Sequence, residues 1–151
     1  MVKEKLGDRL DRSPIHLLHR AGQCAAEIFQ TELAPGDLTP RQFAVLHTVA
    51  RHEGLSQIQL VAHTGIDRST LAEIVRRMLR KGLLQRRRTK HDARAYSVKL
   101  TDEGMRVLKA AEPSVRRVDD KILSVLPAAS RDRFVSDLNL IAVAFAGRKQ
   151  D

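Results

Sequence analysis

The chain of 151 residues contains one cysteine, one tyrosine, four phenylalanines and no tryptophan. A single cysteine, Cys24, excludes an internal disulfide and fits a reducing compartment. Because it falls in an apolar stretch, we expect Cys24 to be a small buried hydrophobe rather than a reactive thiol.

Long hydrophobic runs are absent as well. No segment approaches the roughly 18 consecutive apolar residues that a membrane-spanning helix needs. The first 20 residues contain Lys3, Glu4, Lys5, Asp8, Arg9, Asp11 and Arg12. This charge pattern is unlike a secretory signal peptide, so we expect a cytoplasmic protein. The length and the hydrophobic content of 42% suit one compact domain.

The sequence also lacks the short motifs of common enzyme classes. It has no phosphate-cradling glycine loop, no nucleophile elbow and no His-Glu-x-x-His pattern. His16 and His19 share a predicted helix face, but no neighbouring cluster of cysteines or carboxylates completes a metal site. We therefore expect a protein that is not an enzyme and that has no metal or other cofactor.

Charge, by contrast, is abundant and unevenly distributed. Residues 68–94 hold ten basic and two acidic side chains, a net +8, whereas the rest of the chain carries only +1. A solvated face normally mixes both signs. A nearly acid-free basic segment suits a polyphosphate, since each neutralised phosphate releases counterions. Single-stranded RNA is disfavoured because only Tyr96 lies near this segment to stack on bases.

Capping residues and apolar spacing predict two helices in the first third of the chain. The Ser13-Pro14 pair begins a helix that extends to about residue 35. Thr39 and Gln42 form a capping box, with Pro40 at the first helical position, and open a second helix that extends to about residue 52.

The next two predicted helices form a helix-turn-helix. Ser56 opens a short helix that ends near Gly65, and Asp67 caps a fourth helix that ends at Gly82. The short helix should bury Ile58, Val61 and Ala62. On the inner face of the fourth helix we place Leu71, Val75, Met78 and Leu79, and on its outer face Arg68, Ser69, Ala72, Glu73, Arg76, Arg77 and Arg80. A basic second helix after a glycine turn is typical of a DNA reader.

Beyond Gly82 the periodicity changes to that of strands. Residues 84–90 and 95–100 predict two strands joined by a turn at 91–94. A β-hairpin directly after a recognition helix forms a wing. The predicted architecture is therefore mainly α with a small β-hairpin, a winged helix-turn-helix.

Two further helices complete the prediction. Thr101 caps a long fifth helix that extends to about Val125, and Pro113 should kink or split it. A final helix follows Pro127. The first, fifth and sixth helices carry apolar stripes that the small central unit cannot cover. A two-fold homodimer would bury them and set two recognition helices roughly 34 Å apart over a pseudo-palindromic DNA site.

Three stretches in register make the sequence similar to the MarR (multiple antibiotic resistance regulator) family: LTPRQFAVLHTVA, GIDRSTLAEIVRRMLRKGLLQR and DARAYSVKLTDEG. The resemblance covers nearly the whole chain. It implies one domain over 1–151, with dimerisation helices at 13–35 and 101–147 and a winged helix-turn-helix lobe at 39–100. It also implies a transcriptional regulator, and we expect a repressor that binds double-stranded DNA operators.

The resemblance further implies which side chains contact DNA. The recognition helix would enter the major groove with Arg68, Ser69, Thr70, Arg76 and Arg77. Arg94, at the wing tip, would enter the flanking minor groove, and Asp92 would shape the wing turn. Arg86, Arg88 and Lys90 would meet phosphates. For Arg80, Lys81 and Arg87 a solvated cation or a stem covering apolar surface is an equal alternative.

Members of the family usually release DNA when a small molecule binds between the dimer helices and the DNA-binding lobe. The resemblance implies an aromatic acid, a phenol or a coenzyme A thioester as effector. The candidate lining residues are His16, His19, Arg20, Phe43, His47 and Met105.

Two alternatives remain open. The first is a redox-sensing regulator through Cys24, although relatives of that kind pair the thiol with nearby tyrosines and the one tyrosine here lies in the wing. The second is a winged-helix protein-interaction module, which would bind DNA weakly and with little dependence on salt.

Overall fold

The computed structural model describes residues 9–34, 37–88 and 96–146. Its elements are α1 (Pro14–Glu32), α2 (Pro40–Arg51), β1 (Leu55–Ser56), α3 (Gln57–Thr64), α4 (Arg68–Arg80), β2 (Leu84–Arg88), β3 (Tyr96–Leu100), α5 (Asp102–Ser124) and α6 (Arg131–Ala144), with a 3₁₀ turn at Ala128–Ser130. The predicted fold class, mainly α with a small β-sheet, is confirmed. The predicted wing turn at 91–94 lies outside the described residues. Among the described helices, none has both the length and the apolar character needed to span a bilayer.

Local capping explains where the helices of the lobe begin. The Gln42 N–H donates to Thr39 Oγ1 and the Thr39 N–H donates to Gln42 Oε1, both at 3.2 Å. Ser56 and Gln59 form a second reciprocal box at the start of α3. Each box satisfies two amide donors that a helix terminus leaves without partners, which confirms both predicted starts.

A three-stranded antiparallel sheet in the order β1-β3-β2 follows the helix-turn-helix. β2 pairs with β3 from Leu84 opposite Leu100 to Arg88 opposite Tyr96. β1, which the sequence pattern did not predict, contributes two residues and pairs Leu55 with Val98. Its shortness explains the omission, since two residues have no detectable alternation.

The core lies where α2, α3 and α4 meet β3 and α5. Its most deeply buried side chains are Val45, Leu46, Leu60, Leu71, Val75, Met78 and Val98. The predicted inward residues of α4 are confirmed, because Leu71, Val75 and Met78 are fully buried and Leu79 packs against the core. Ile74 also joins this face.

The predicted inner face of α3 is wrong for two residues. Ile58 and Ala62 are exposed, and Leu60 is buried. Residues 57, 60, 61 and 64 turn toward the core, so the true face is rotated by about 100°, one residue, from the predicted one. Contacts with α2 and α4 decide the orientation, since eight residues of α3 carry too little periodic signal of their own.

The prediction of a buried Cys24 is also wrong, because its side chain is exposed on α1. Only the C-terminal end of α1, with Phe29 and Leu33, is buried in the core. Glu32 holds that end against α5, since its carboxylate accepts hydrogen bonds from Arg117 Nε at 3.2 Å and from Lys121 Nζ. The ion pairs of Glu32 with α5 do not extend to the part of α1 that carries Cys24.

Pro113 lies inside α5, and the helix is continuous from Asp102 to Ser124. Of the two outcomes considered for Pro113, the continuous helix excludes a split, and the kink, which is the outcome we expect, stays a prediction. Val125, the last residue of the predicted apolar stripe, is the C-cap and is exposed.

Candidate nucleic-acid interface

Asp67 fixes the start of the candidate recognition helix α4. Its Oδ2 accepts hydrogen bonds from the Thr70 N–H at 3.1 Å and from the Ser69 hydroxyl at 2.8 Å. Hydrogen bonding by Thr70 and Ser69 lowers the pKa of Asp67 to about 2. At neutral pH the cap is therefore an anion, and it orients the first turn of α4.

The outward face of α4 carries the cations that the sequence placed there. The side chains of Arg68, Ser69, Glu73, Arg76, Arg77 and Arg80 are exposed, and those of Thr70 and Ala72 are half-buried. Arg77 and Arg80 lie in the last turn, where a cation also complements the helix dipole. With Leu71, Val75 and Met78 anchoring the opposite side, the helix presents a fixed basic surface.

β2 follows α4 in the chain and carries three exposed arginines, Arg86, Arg87 and Arg88. Paired residues share a face of the sheet, so Arg86 and Arg88 lie on the same face as Val98 and Tyr96, their partners on β3. The Arg86 guanidinium lies 5.5 Å from the centre of the Tyr96 ring, a cation–π contact that orients it. Arg87 lies on the opposite face, beside Ser97.

Three of the candidate DNA contacts belong to the end of the predicted first wing strand and to the predicted wing turn. Lys90, Asp92 and Arg94 lie outside the described residues. Their roles stay predictions.

The base of the wing is tied to α5. The Thr101 hydroxyl donates to the Gly82 carbonyl at 2.6 Å and accepts from the Gly104 N–H at 3.0 Å. Gly82 has φ +72°, a left-handed turn that glycine adopts without strain. One threonine thus joins the end of α4, the start of the wing and the first turn of α5.

The six candidate effector residues do not share one site. Phe43 lines a cavity of about 630 Å³ between α1, α2 and α5, and His47 stacks on Phe43 with 5.7 Å between ring centres. Met105 lines a different cleft, of about 490 Å³, between α2, the sheet and α5. His16, His19 and Arg20 line neither of these clefts.

The cavity at Phe43 contains two charged residues that sequence reasoning missed, Arg41 and Asp119. Burial, followed by the nearby charge of Asp120, raises the pKa of Asp119. Small side chains on α1 leave space for this cavity. Apart from the two charged residues its lining is largely apolar: Gly22, Ala25, Ala26, Phe29, Thr39, Pro40, Phe43, Val115 and Val118. The Gly-x-x-Ala-Ala pattern on the predicted first helix was the signal in the sequence that could have indicated this cavity.

No three side chains among the histidines, cysteines and carboxylates in the described part of the chain come together as a metal site. His52 and His63 are in contact, with ring centres 4.4 Å apart. This pair joins the ends of α2 and α3.

Comparison with known proteins identifies the family. A sequence model of the MarR family matches residues 36–95. The chain is 35% identical to the transcriptional regulator HosA of Escherichia coli O157:H7 over 83% of its own length and 92% of that protein.

Solved structures agree with this relationship. The PcaV transcriptional regulator of Streptomyces coelicolor, in complex with its natural ligand, superposes with a TM-score of 0.85 at 32% identity, covering 95% of this chain and 99% of that one. The transcriptional repressor CouR, bound to a 23-mer DNA duplex, superposes with a TM-score of 0.83 at 30% identity, covering 93% and 99%. CouR has also been solved bound to p-coumaroyl-CoA, with a TM-score of 0.81 at 30% identity over 93% of this chain and 98% of that one. The chain belongs to the MarR family of transcriptional regulators.

Proposed function

We propose that the protein is a homodimeric repressor that binds a pseudo-palindromic DNA operator and releases it when a small aromatic effector binds. The observation that supports DNA binding most directly is the set of exposed arginines on α4 and on β2, the strand that follows it. Arg68, Arg76 and Arg77 extend from a helix anchored in the core, and Arg86 and Arg88 extend from the adjoining strand. The CouR–DNA complex shows that a protein of this fold binds duplex DNA.

Within this surface we assign two kinds of contact. Arg68, Ser69, Thr70, Arg76 and Arg77 would read or flank the major groove, since an α-helix fits that groove. Arg86, Arg88 and Lys90 would neutralise phosphates, and Arg94 would enter the minor groove beside the turn that contains Asp92. Arginine suits a narrow minor groove because the negative potential is enhanced there.

The homodimer is supported by apolar surface on both terminal regions. Ile15, Leu17 and Leu18 are exposed on α1, and Phe134, Leu138 and Ile141 follow one another on a single exposed face of α6. Such a face on a soluble protein marks an interface. Dimerisation through residues 13–35 and 101–147 would leave the lobe at 39–100 free to bind DNA in duplicate.

For the effector we propose an aromatic acid, a phenol or a coenzyme A thioester, bound in the cavity between α1, α2 and α5. PcaV has been solved with its natural ligand and CouR with p-coumaroyl-CoA. A largely apolar cavity with a few charged groups suits a small aromatic molecule. Of the candidates predicted from sequence, Phe43 lines this cavity directly and His47 supports Phe43.

The test begins with footprinting of the protein on the DNA upstream of its own gene. Affinity for the protected duplex is then measured by fluorescence anisotropy at several salt concentrations. We expect the logarithm of affinity to fall steeply with the logarithm of salt, and Arg76→Ala and Arg77→Ala each to lower that slope by about one. Arg51→Ala is the matched control, an exposed arginine at the end of α2. A shallow salt dependence would instead favour a protein-interaction module.

Regulation is tested on the same complex with benzoate, 4-hydroxybenzoate, p-coumarate and p-coumaroyl-CoA. We expect at least one compound to release the operator. The redox alternative predicts release by hydrogen peroxide that Cys24→Ser abolishes, and the exposure of the Cys24 thiol makes that comparison informative.

A further inference from the structure

Arg41, in the first turn of α2, lines two separate clefts. One is the cavity between α1, α2 and α5. The other is a cleft of about 430 Å³ on the far side of the same turn, lined by Thr64, Gly65, Ile66 and Asp67, together with Pro40 and Ala44 of α2. Arg41 is exposed and makes no hydrogen bond or ion pair with any residue that the structure describes. A long, unconstrained cation therefore lies between the effector cavity and the start of the recognition helix.

Each cleft is also lined by a carboxylate. In the helix-turn-helix cleft it is Asp67, which the hydrogen bonds from Ser69 and Thr70 keep ionised at any pH above about 2. In the cavity it is Asp119, whose pKa is raised by burial and by Asp120.

The cavity offers an acidic ligand one cation. Arg41 is the basic residue among the described residues that line it, and the surrounding walls from Gly22, Ala25, Phe29 and Val115 are apolar. A carboxylate held there would pair with guanidinium at short range and partly out of water, where a charge-assisted hydrogen bond is strong. The ring of an aromatic acid would contact the apolar walls.

We propose that Arg41 connects the effector cavity to the recognition helix: a carboxylate bound in the cavity pairs with Arg41 and withdraws its guanidinium from the cleft beside Asp67. This inference rests on the proposed function, because it requires an effector in that cavity. Withdrawal removes a positive charge from the start of α4 and leaves the Asp67 anion facing the DNA backbone. The acid then binds the released form better than the DNA-bound form, which is the condition for a ligand to shift the equilibrium.

The experiment compares wild type with Arg41→Gln, Arg41→Lys and the control Arg51→Gln in the full chain. Binding of benzoate, 4-hydroxybenzoate and p-coumarate to DNA-free protein is measured by calorimetry. Operator affinity is measured with and without each acid. For wild type we expect an acid to weaken operator binding by at least about fivefold. Arg41→Gln should bind that acid at least about tenfold more weakly.

The informative result is the operator affinity of Arg41→Gln without acid. We expect it to lie close to the affinity of acid-saturated wild type, with little further change on adding acid, because the substitution imitates withdrawal. Arg41→Lys should restore part of the response, and Arg51→Gln should resemble wild type.

Two results would overturn the inference. In one, Arg41→Gln binds the acid weakly but, once saturated, releases the operator as fully as wild type does, which would make Arg41 a ligand contact alone. In the other, none of the acids binds wild type. Retained, salt-dependent operator binding would in that case leave the DNA-binding part of the proposed function standing.

Discussion

Gly104 tests whether the wing is fixed to α5 in the way the structure indicates. A Cβ built at this position would lie 2.1 Å from the Leu83 carbonyl oxygen, 3.0 Å from the Leu83 carbonyl carbon and 3.1 Å from Leu100 Cδ2. Two of these atoms belong to the backbone at the base of the wing. Gly104→Ala would therefore require α5 and the start of β2 to separate by more than about 1 Å before the contact becomes ordinary.

Two effects oppose each other in this substitution. Alanine favours a helix over glycine by about 1 kcal/mol, which would stabilise the protein. Overpacking against a backbone atom costs about 1–3 kcal/mol, and the tight contacts here place the cost in the upper part of that range. We expect a net loss of about 2 kcal/mol, which lowers the Tm by roughly 4–8 °C for a chain of this size.

The assay is thermal unfolding followed by circular dichroism, together with operator affinity at a temperature where both proteins are folded. Ala110→Gly, at an exposed position further along α5, is the control for helix propensity and should lose about 1 kcal/mol. Because the displaced atoms carry the wing, Gly104→Ala should also weaken operator binding. A raised Tm for Gly104→Ala would refute the close approach of α5 to Leu83.

Three further predictions concern α4 and the wing. Asp67→Asn retains a capping side chain but removes the ionised group, whose folded pKa of about 2 lies below the ordinary value of 3.8. Asp67 therefore contributes stability that is complete above about pH 4 and lost as pH falls through 2, so the Tm of the variant should fall less than that of wild type over this range. Arg94→Ala should weaken operator binding and lower the salt slope by about one, and an unchanged titration would remove Arg94 from the interface. Ser69→Ala should change base preference at one operator position, which a library of operator variants would detect, rather than weaken all sequences equally.

Features encoded within a few residues were predictable from the sequence. Thr39, Ser56, Asp67 and Thr101 each cap a helix with their own side chain, and the structure has each helix begin directly after its cap. The basic outer face of α4 was equally predictable, because thirteen residues repeat the helical period several times.

Features set by packing between distant segments were not predictable. The orientation of α3 depends on which neighbouring element packs against Leu60. The exposure of Cys24 depends on how far α5 extends along α1. The cavity that contains Arg41 and Asp119 requires α1 and α2 to meet α5, although Arg41 and Asp119 are 78 residues apart in the sequence. The small residues of α1 indicate close packing but not which segment packs there, so the sequence analysis proposed His16 and His19 where the structure places Arg41 and Asp119.

The apolar surface of α6 constrains how the proposed dimer assembles. Phe134, Leu138 and Ile141 occupy one face, but Leu140 and Val143, on the opposite face, are also exposed. A helix with exposed apolar residues on two opposite faces requires cover on both, so one partner helix packed on the first face is insufficient. In the proposed dimer α6 must lie between two helices, and the exposed apolar residues of α1 make the partner's α1 the natural second neighbour. The proposed dimer interface and the proposed effector cavity then share α1, so a ligand that changes the spacing of α1 and α2 would also change the spacing of the two proposed DNA-binding lobes. The distance between the two recognition helices must match one turn of DNA, roughly 34 Å, so operator binding tolerates little change in the spacing of the lobes.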